Sequence, residues 1–486
     1  MTAKSDRSKA RGGLDPENWE NFRARAHALL DAAIDRMQGA EQGPVWTPLP
    51  EEDKCHYDIP LPRDGMGSDA VARQLEQLLP YGVGNTHPRF FGWVHGTGTP
   101  GNMLAEIVAS AMNANLGGRD HGAIYVEKQV LAWVRDMFGF PDGASGLIVS
   151  GTSIATIVAL KAARDRALAW TSRANGVGGA NLVGYTSDQT HSCVARAFDI
   201  LGLGSGALRK LPTNTSFQID LNALCAQIAE DRAAGLQPFV LIGTAGAVNM
   251  GAIDDLSALA DIARDEQLWL HVDGAFGALG VLSDRVRPKL SGLERADSLA
   301  FDFHKWMHVT YDAGCVLIRD EADHRRAFSE RPDYLKGATR GLAAGNPWPV
   351  EYGPELSRGF RALKVWTQIA EHGTDRLGAM VDRNCAQAAA LGQMVESAAD
   401  MELMAPVALN ICCFRAVRSG LDETGLDALN EEIVIRLQEQ GIAAPSMTKL
   451  HGRTAIRVNI TNHRTRDEDI EILFSAVRRI ADEITA

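Results

Sequence analysis

The stretch FDFHKWMHV at 301–309 sets a histidine and a lysine side by side in an apolar and aromatic run. An ammonium out of water needs a partner or a shifted pKa. Lys305 follows SLAFDF (298–303), so it stands just past the end of an apolar run. Other residues able to do chemistry stand in like places. Gly151, Thr152 and Ser153 follow GLIVSG and open the helical stretch SGTSIATIVALKAARDRA, whose apolar face carries Ile154, Ile157, Val158 and Ala162. Free N–H groups, hydroxyls and the positive end of a helix dipole make an anion site there. An ordinary N-cap has the same look. His191 follows LVGYTS (182–187), in a place where a lone histidine is usually a surface or core residue. Asp273 ends the run LWLHVDGA, where a carboxylate needs a cation or hydrogen-bond donors; a helix N-cap is the plainer reading.

Taken together, an anion cradle, a histidine, an aspartate and a lysine project from one rim. Pyridoxal 5′-phosphate asks for all four. Its phosphate needs the cradle, its flat ring a stacking partner, its ring nitrogen a carboxylate, and its aldehyde a lysine. As a Schiff base to that aldehyde, Lys305 gains a reason to be sheltered, and His304 can donate to the phosphate.

Elements must exist to hold these residues. Six short apolar runs begin near 146, 182, 238, 268, 298 and 314, separated by helical stretches. They do not alternate polar with apolar, which suits strands buried on both faces of a mainly parallel sheet. In such sheets ligands bind beyond the carboxyl ends of the strands. Residues 1–15 read as disordered. Next, Trp19, Phe22, Ala26, Leu29, Leu30, Ala33 and Met37 share one helical face, for a partner subunit or for the chain's own core. Residues 40–90 read as linker with a short helix. The last third holds the helical SRGFRALKVWTQIAEHG, the strand TAIRVNIT and a final helix with a Thr465/Glu468 capping box. A smaller C-terminal α+β domain from 365 follows, giving the division 1–90, 91–364 and 365–486.

Composition excludes several classes. A net charge of −12 offers no footprint for nucleic acid or an anionic membrane. No apolar run is long enough to cross a bilayer, and the polar N-terminus lacks the apolar core of a signal peptide. Seven cysteines, without a CxxC pair, argue against a disulfide framework or structural zinc, and a reducing cytoplasm is the simplest compartment. His304 and His308 are spaced for a metal but have no third ligand nearby, so no metal is expected. LGLGSG (201–206) follows a helical stretch rather than a strand and reads as a turn, not a dinucleotide loop. HGTGTPG (95–101) reads as a structural turn.

The pieces HPRFFGWV, MLAEIVASAMN, SGTSIATIVALKAAR, HSCVARA, GAIDDLSALADIA, WLHVDGAFG, DFHKW, SRGFRALKVW and IRVNITN extend in order from about 87 to the C-terminus. In this they resemble the group II pyridoxal-phosphate-dependent decarboxylases, the family of aromatic-L-amino-acid and glutamate decarboxylases. HVDGA followed about thirty residues later by HKW is the specific part. The resemblance implies the aspartate-aminotransferase-type (fold type I) architecture, a homodimer, and α-decarboxylation of an L-amino acid, possibly an aromatic one. It implies Lys305 as the Schiff-base lysine, Asp273 at the ring nitrogen, His191 stacked on the ring and Ala275 beneath its other face. Thr152, Ser153 and His304 should hold the phosphate, with Thr244 near the cofactor. Arg457 matches a position that pairs with the substrate carboxylate in some members. Trp93 falls where members line the substrate pocket, or is a core aromatic.

Two departures stand out. Family members carry a loop tyrosine that is thought to protonate the product, before the RALKVW helix. Here YLKGATRGLAAGNPWPVEYGPELSRGF sets Asn346, Pro347 or Pro349 near that position, with Tyr352 available only on another threading. An aldehyde synthase or aminotransferase-like outcome is therefore the alternative. A cofactor-binding protein without activity, or a purely structural oligomer, are rival readings; retention of Lys305, Asp273 and His191 argues against the first. Asp302 also stands where many relatives have asparagine. A carboxylate beside a phosphate repels it, so Asp302 is expected to face a helix N-terminus or backbone donors.

Overall fold

The structure is a computed structural model that describes residues 13–330 and 337–486. The first twelve residues and 331–336, which include the YLK that opens the loop, therefore lie outside the described residues. The chain divides into two compact units, 1–42 with 46–84, and 43–45 with 85–486.

In the first unit the helix Trp19–Gln38 starts where the Asn18 side chain accepts hydrogen bonds from the N–H groups of Glu20 and Asn21. No residue of this helix is buried, and Trp19, Phe22 and Ile34 are exposed. It packs on the helix Ser68–Leu78, which also buries none of its residues.

Among the described residues, twelve strands form two sheets in the second unit: β1 (Phe90–Phe91), β2 (Ser145–Val149), β3 (Leu182–Ser187), β4 (Leu208–Leu211), β5 (Gln237–Thr244), β6 (Trp269–Asp273), β7 (Ser298–Asp302), β8 (Gly314–Ile318), β9 (Met401–Leu403), β10 (Ile411–Ala416), β11 (Ala444–Leu450) and β12 (Arg453–Asn459). The large sheet has the order β2-β8-β7-β6-β5-β3-β4. Its pairs are parallel from β4 through β7, while β8 runs antiparallel to both neighbours. β6, β7 and β8 are buried along their whole length, as continuous Val/Ile/Leu/Phe runs between two helical layers must be. All six expected strands are present. β4 was not anticipated, because LRKL is too short and too charged to signal a strand.

The helix Thr152–Ala167 differs from its expected face. Ile154 and Ile157 are only partly buried, while Thr156, Ala159, Leu160 and Ala163 are fully covered. It lies across the sheet and under the helices Ser192–Ile200 and Glu321–Phe328, so nearly all its sides need small or apolar residues.

The small sheet has the order β1-β11-β12-β10-β9. Only β12 was expected from sequence. The helix Arg361–Glu396 links the two sheets' territories and breaks at Gly373, whose φ of 69° is left-handed. The final helix Asp467–Thr485 is capped one residue later than expected. Asp469 reaches back to the Arg466 N–H at 2.9 Å, while the Thr465 hydroxyl instead donates to the Pro88 carbonyl.

Candidate active site

Five strand ends bring the site together. β5, β6 and β7 are in register so that Thr244 pairs with Asp273 and Asp273 with Ala300. Asp273 is therefore flanked on both sides, and only 3% of it is exposed. Its Oδ1 accepts the Ala275 N–H at 3.1 Å, and the Cys193 thiol lies 3.8 Å from Oδ2. No cation bonds it among the described residues. Burial pushes its carboxyl above the usual range, and the Lys305 charge pulls it back down. Such a buried carboxylate suits a cationic ring N–H as its missing partner.

His191 caps the helix Ser192–Ile200, its Nδ1 accepting the Cys193 N–H at 3.2 Å. That bond fixes the ring above the end of β3. Burial lowers its pKa, while the Asp273 charge opposes the shift. The phosphate cradle is the start of Thr152–Ala167, which has no side-chain cap of its own. Ser153 is exposed there, and the buried hydroxyls of Thr152 and Thr244 have no partner among the described residues. Hydroxyls left unpaired at one rim fit a group that brings its own acceptors.

The loop after β7 carries His304 and Lys305 and is pinned at several points. The His304 N–H donates to Ala313 O at 3.2 Å, the Trp306 indole to Asn384 Oδ1 at 3.1 Å, and the Gln368 amide to Met307 O at 2.9 Å. The His304 Nδ1 accepts the Ala313 N–H, and burial lowers its pKa. Lys305 Nζ lies 2.9 Å from Asp302 Oδ2, so its direct partner is Asp302 and not Asp273. Its charge still acts on both Asp273 and His191. The other oxygen of Asp302 accepts the Thr152 N–H at 2.7 Å, which is the helix N-terminus expected for it. Gly314 makes this approach possible, since a Cβ there would meet Asp302 Oδ1 at 2.7 Å and Gly151 Cα at 2.5 Å.

The residues 93–98 form a strap over this loop. A Cβ on Gly96 would lie 2.2 Å from the His304 carbonyl oxygen. Along the strap runs an aromatic wall. Trp93 and His95 have ring centroids 5.9 Å apart, His95 and Tyr311 5.7 Å, and Tyr311 and His304 4.4 Å. Trp93 is 54% exposed, so it is not a core aromatic. His95 and Tyr311 were missed from sequence. The glycine at 96 was the only signal, because close backbone approach requires one. Burial lowers the His95 pKa, with the charges of Lys305 and His304 adding to it, and its Nδ1 has no partner among the described residues.

Arg457 is nearly fully buried, yet its donors go to the carbonyls of Val248, Asn249 and Trp93 and to the Ser446 hydroxyl. Pairing with a substrate carboxylate requires those bonds to be exchanged. As placed, Arg457 braces the backbone of Trp93. Tyr352 stands at the other end of the sheet from the cradle. Its hydroxyl donates to Glu321, and its carbonyl accepts from His324, which also bonds Ser145 at the start of β2. The hollow lined by Trp133, Phe138, Leu282, Arg287 and Ile369 contains none of the site residues.

The residues present thus fit pyridoxal phosphate: a lysine for the aldehyde, a buried carboxylate with no cationic partner among the described residues, and unpaired hydroxyls at a helix start and a strand end. Comparison with known proteins agrees. The model for the pyridoxal-dependent decarboxylase conserved domain matches residues 50–417. The aromatic-L-amino-acid decarboxylase of Bacillus atrophaeus is 34% identical over 96% of each chain. The L-2,4-diaminobutyrate decarboxylase of Rhizobium meliloti is 28% identical over 99% of this chain and 96% of its own. The crystal structure of Oryza sativa TDC with PLP and tryptamine has a TM-score of 0.87 at 26% identity, covering 98% of this chain and 100% of that one. With its lysine, aspartate and helix start gathered on one rim of a type I fold, the chain belongs to the group II pyridoxal-phosphate-dependent amino-acid decarboxylases and is a carboxy-lyase.

Proposed function

We propose that the chain removes the carboxylate of an aromatic L-amino acid to give the amine and CO2. The observation that carries this reading is the wall Trp93–His95–Tyr311–His304, which runs beside Lys305. A row of aromatic rings offers a flat side chain offset-stacked or edge-to-face contacts. The 34% identity to an aromatic-L-amino-acid decarboxylase supports it as well.

Pyridoxal phosphate supplies an aldehyde for covalent capture and a ring that withdraws electrons from the substrate's α-carbon. In this reading Lys305 would hold that aldehyde covalently when the cofactor is bound. Asp273 keeps the ring nitrogen protonated, and its burial strengthens the attraction. His191 covers one ring face and Ala275 the other. Thr152, Ser153 and His304 hold the phosphate, with Thr244 alongside. Trp93, held by Arg457, sets the depth of the substrate side chain. Arg457, on exchanging a carbonyl partner, or its neighbours would orient the substrate carboxylate.

The chain is proposed to act as a cytoplasmic homodimer, with residues 1–90 on the partner, 91–364 as the cofactor domain and 365–486 as the small domain. The exposed apolar residues of Trp19–Gln38 support the first point, and the absence of any disulfide among the described residues suits a reducing compartment. A second reading is favoured by one observation. Tyr352, the only tyrosine between 337 and 360, is held by Glu321 at the far end of the sheet. Without a proton donor, dioxygen would take up the electron pair left by CO2 and, with water, the products would be an aldehyde, ammonia and peroxide; protonation at another carbon would instead give a slow aminotransferase.

A screen of the twenty amino acids, with CO2, ammonia and peroxide measured together, tests both. Aromatic substrates should give CO2 alone. Ammonia and peroxide in step with CO2 would establish the second reading. Faster turnover of diamino or acidic substrates than of any aromatic one would remove the aromatic assignment.

A further inference from the structure

Asp302 holds two groups that cofactor loading needs. Its Oδ1 accepts the first N–H of the helix Thr152–Ala167 at 2.7 Å, and its Oδ2 lies 2.9 Å from Lys305 Nζ and 3.6 Å from His304 Nε2. Only 3% of Asp302 is exposed. A carboxylate on that helix start uses up part of the positive end that a phosphate would seek. Paired with it, Lys305 is an ammonium, whose nitrogen has no free electron pair to attack an aldehyde. We propose that Asp302 is a positioning residue that couples these two problems: it takes the proton that Lys305 must lose, and in becoming neutral it stops repelling the phosphate.

The step balances. The proton passes from Nζ to Oδ2, breaking an N–H bond and forming an O–H bond. The freed electron pair then adds to the aldehyde carbon, and the aldehyde oxygen leaves as water with the two remaining amine protons. The Oδ1 bond to the Thr152 N–H survives, since a neutral acid still accepts there. Several ionisable groups face Asp302. Lys305, His304 and Tyr311 come from its own loop, His191 and Cys193 from the element after β3, Cys315 from β8 and Asp273 from β6. Asp273 is the one other carboxylate among them, and its ionisation is opposed by the charge of Asp302. Neutralising Asp302 therefore also favours the charged Asp273 that the ring nitrogen requires.

This rests on Lys305 as the aldehyde-bonding group and the helix start as the phosphate cradle. Asp302→Asn in the full chain, freed of cofactor, tests it with two separate probes. Inorganic phosphate should bind the variant about tenfold or more tighter than wild type, because a like charge is gone. Pyridoxal, which has the aldehyde but no phosphate, should be captured about tenfold or more slowly at the same pH, read by visible absorbance. A role in folding alone would move both probes the same way. That result, or no change in either, would overturn the inference. If the variant does not fold by thermal melting, wild type decides. Inorganic phosphate, by favouring the neutral acid and so the free Lys305 amine, should speed wild-type capture of pyridoxal about tenfold, and no acceleration overturns the proposal. Failure of wild type to capture pyridoxal phosphate at all would sink the cofactor reading of the site together with this inference; capture with unaltered probes sinks the inference alone.

Discussion

Gly96→Ala is the sharpest test of how the strap meets the catalytic loop. The added Cβ would lie 2.2 Å from the His304 carbonyl oxygen and 2.5 Å from that of Lys305. Both are main-chain atoms, so no rotamer change relieves the clash. The strap and the lysine loop must part by about 1 Å. Neither yields easily. The strap is tied by the Asn85 amide on Gly96 O at 2.6 Å, the Thr461 hydroxyl on His95 O at 2.9 Å, and Thr97 Oγ1 to His463 Nδ1 at 2.7 Å. The loop is tied through Trp306 and Gln368. Overpacking of this kind costs about 1–3 kcal/mol or more. A shift of about 1 Å at a reacting group costs about 100-fold in rate. The variant should therefore melt lower and lose about two orders of magnitude in kcat, while still taking up pyridoxal phosphate. Gly122→Ala is the control. Its Cβ meets nothing within 4 Å, and alanine suits the first turn of the helix Gly122–Met137, so stability should hold or rise by up to about 1 kcal/mol. A Gly96→Ala protein with unchanged melting and unchanged kcat would show that the strap does not rest on the lysine loop.

Lys305→Ala should abolish turnover, and borohydride should no longer fix the cofactor to the chain; substantial residual decarboxylation contradicts the role. Stability should fall in mild acid. His308 and His271 are held neutral by burial, with pKa values pushed down to about 3, and His324 to about 4. Unfolding lets each bind a proton below about pH 6.5, so their stabilising effect is complete above that pH and lost as pH falls toward 3, by about 1.4 kcal/mol per histidine per pH unit. His308→Asn, which tolerates the left-handed φ of 58° there, should flatten this slope in urea titrations; an equal slope rules His308 out. Trp19→Asp with Phe22→Asp should convert a dimer to monomer in gel filtration, and an active monomer from the unaltered chain would refute the dimer outright.

Much of the fold was legible because buried parallel strands read as unbroken apolar runs. Those of β5 to β8 could be placed within a few residues. The weaker strands were not. β4 carries Arg209 and Lys210, and β9 spans three residues, so neither has a pattern to detect. The N-cap at Asn18 and the one at His191 are set by adjacent residues. The cap of the last helix shifted from Thr465 to Arg466 because the Thr465 hydroxyl is used by Pro88, almost four hundred residues away in sequence.

The chemistry divides in the same way. Sequence alone determined which residues stand at strand ends, since chain order and strand period fix that locally, and so it named Lys305, Asp273, His191 and Thr152, while Thr244 came from the family resemblance. The partner of each was decided only by tertiary structure. That Lys305 bonds Asp302, that Arg457 is occupied by carbonyls, and that His95 and Tyr311 form a wall with Trp93 all depend on segments brought together from distant parts of the chain. Charge pairing and ring contact act over a few ångströms of space, and spacing along the chain carries no record of which segments will meet there.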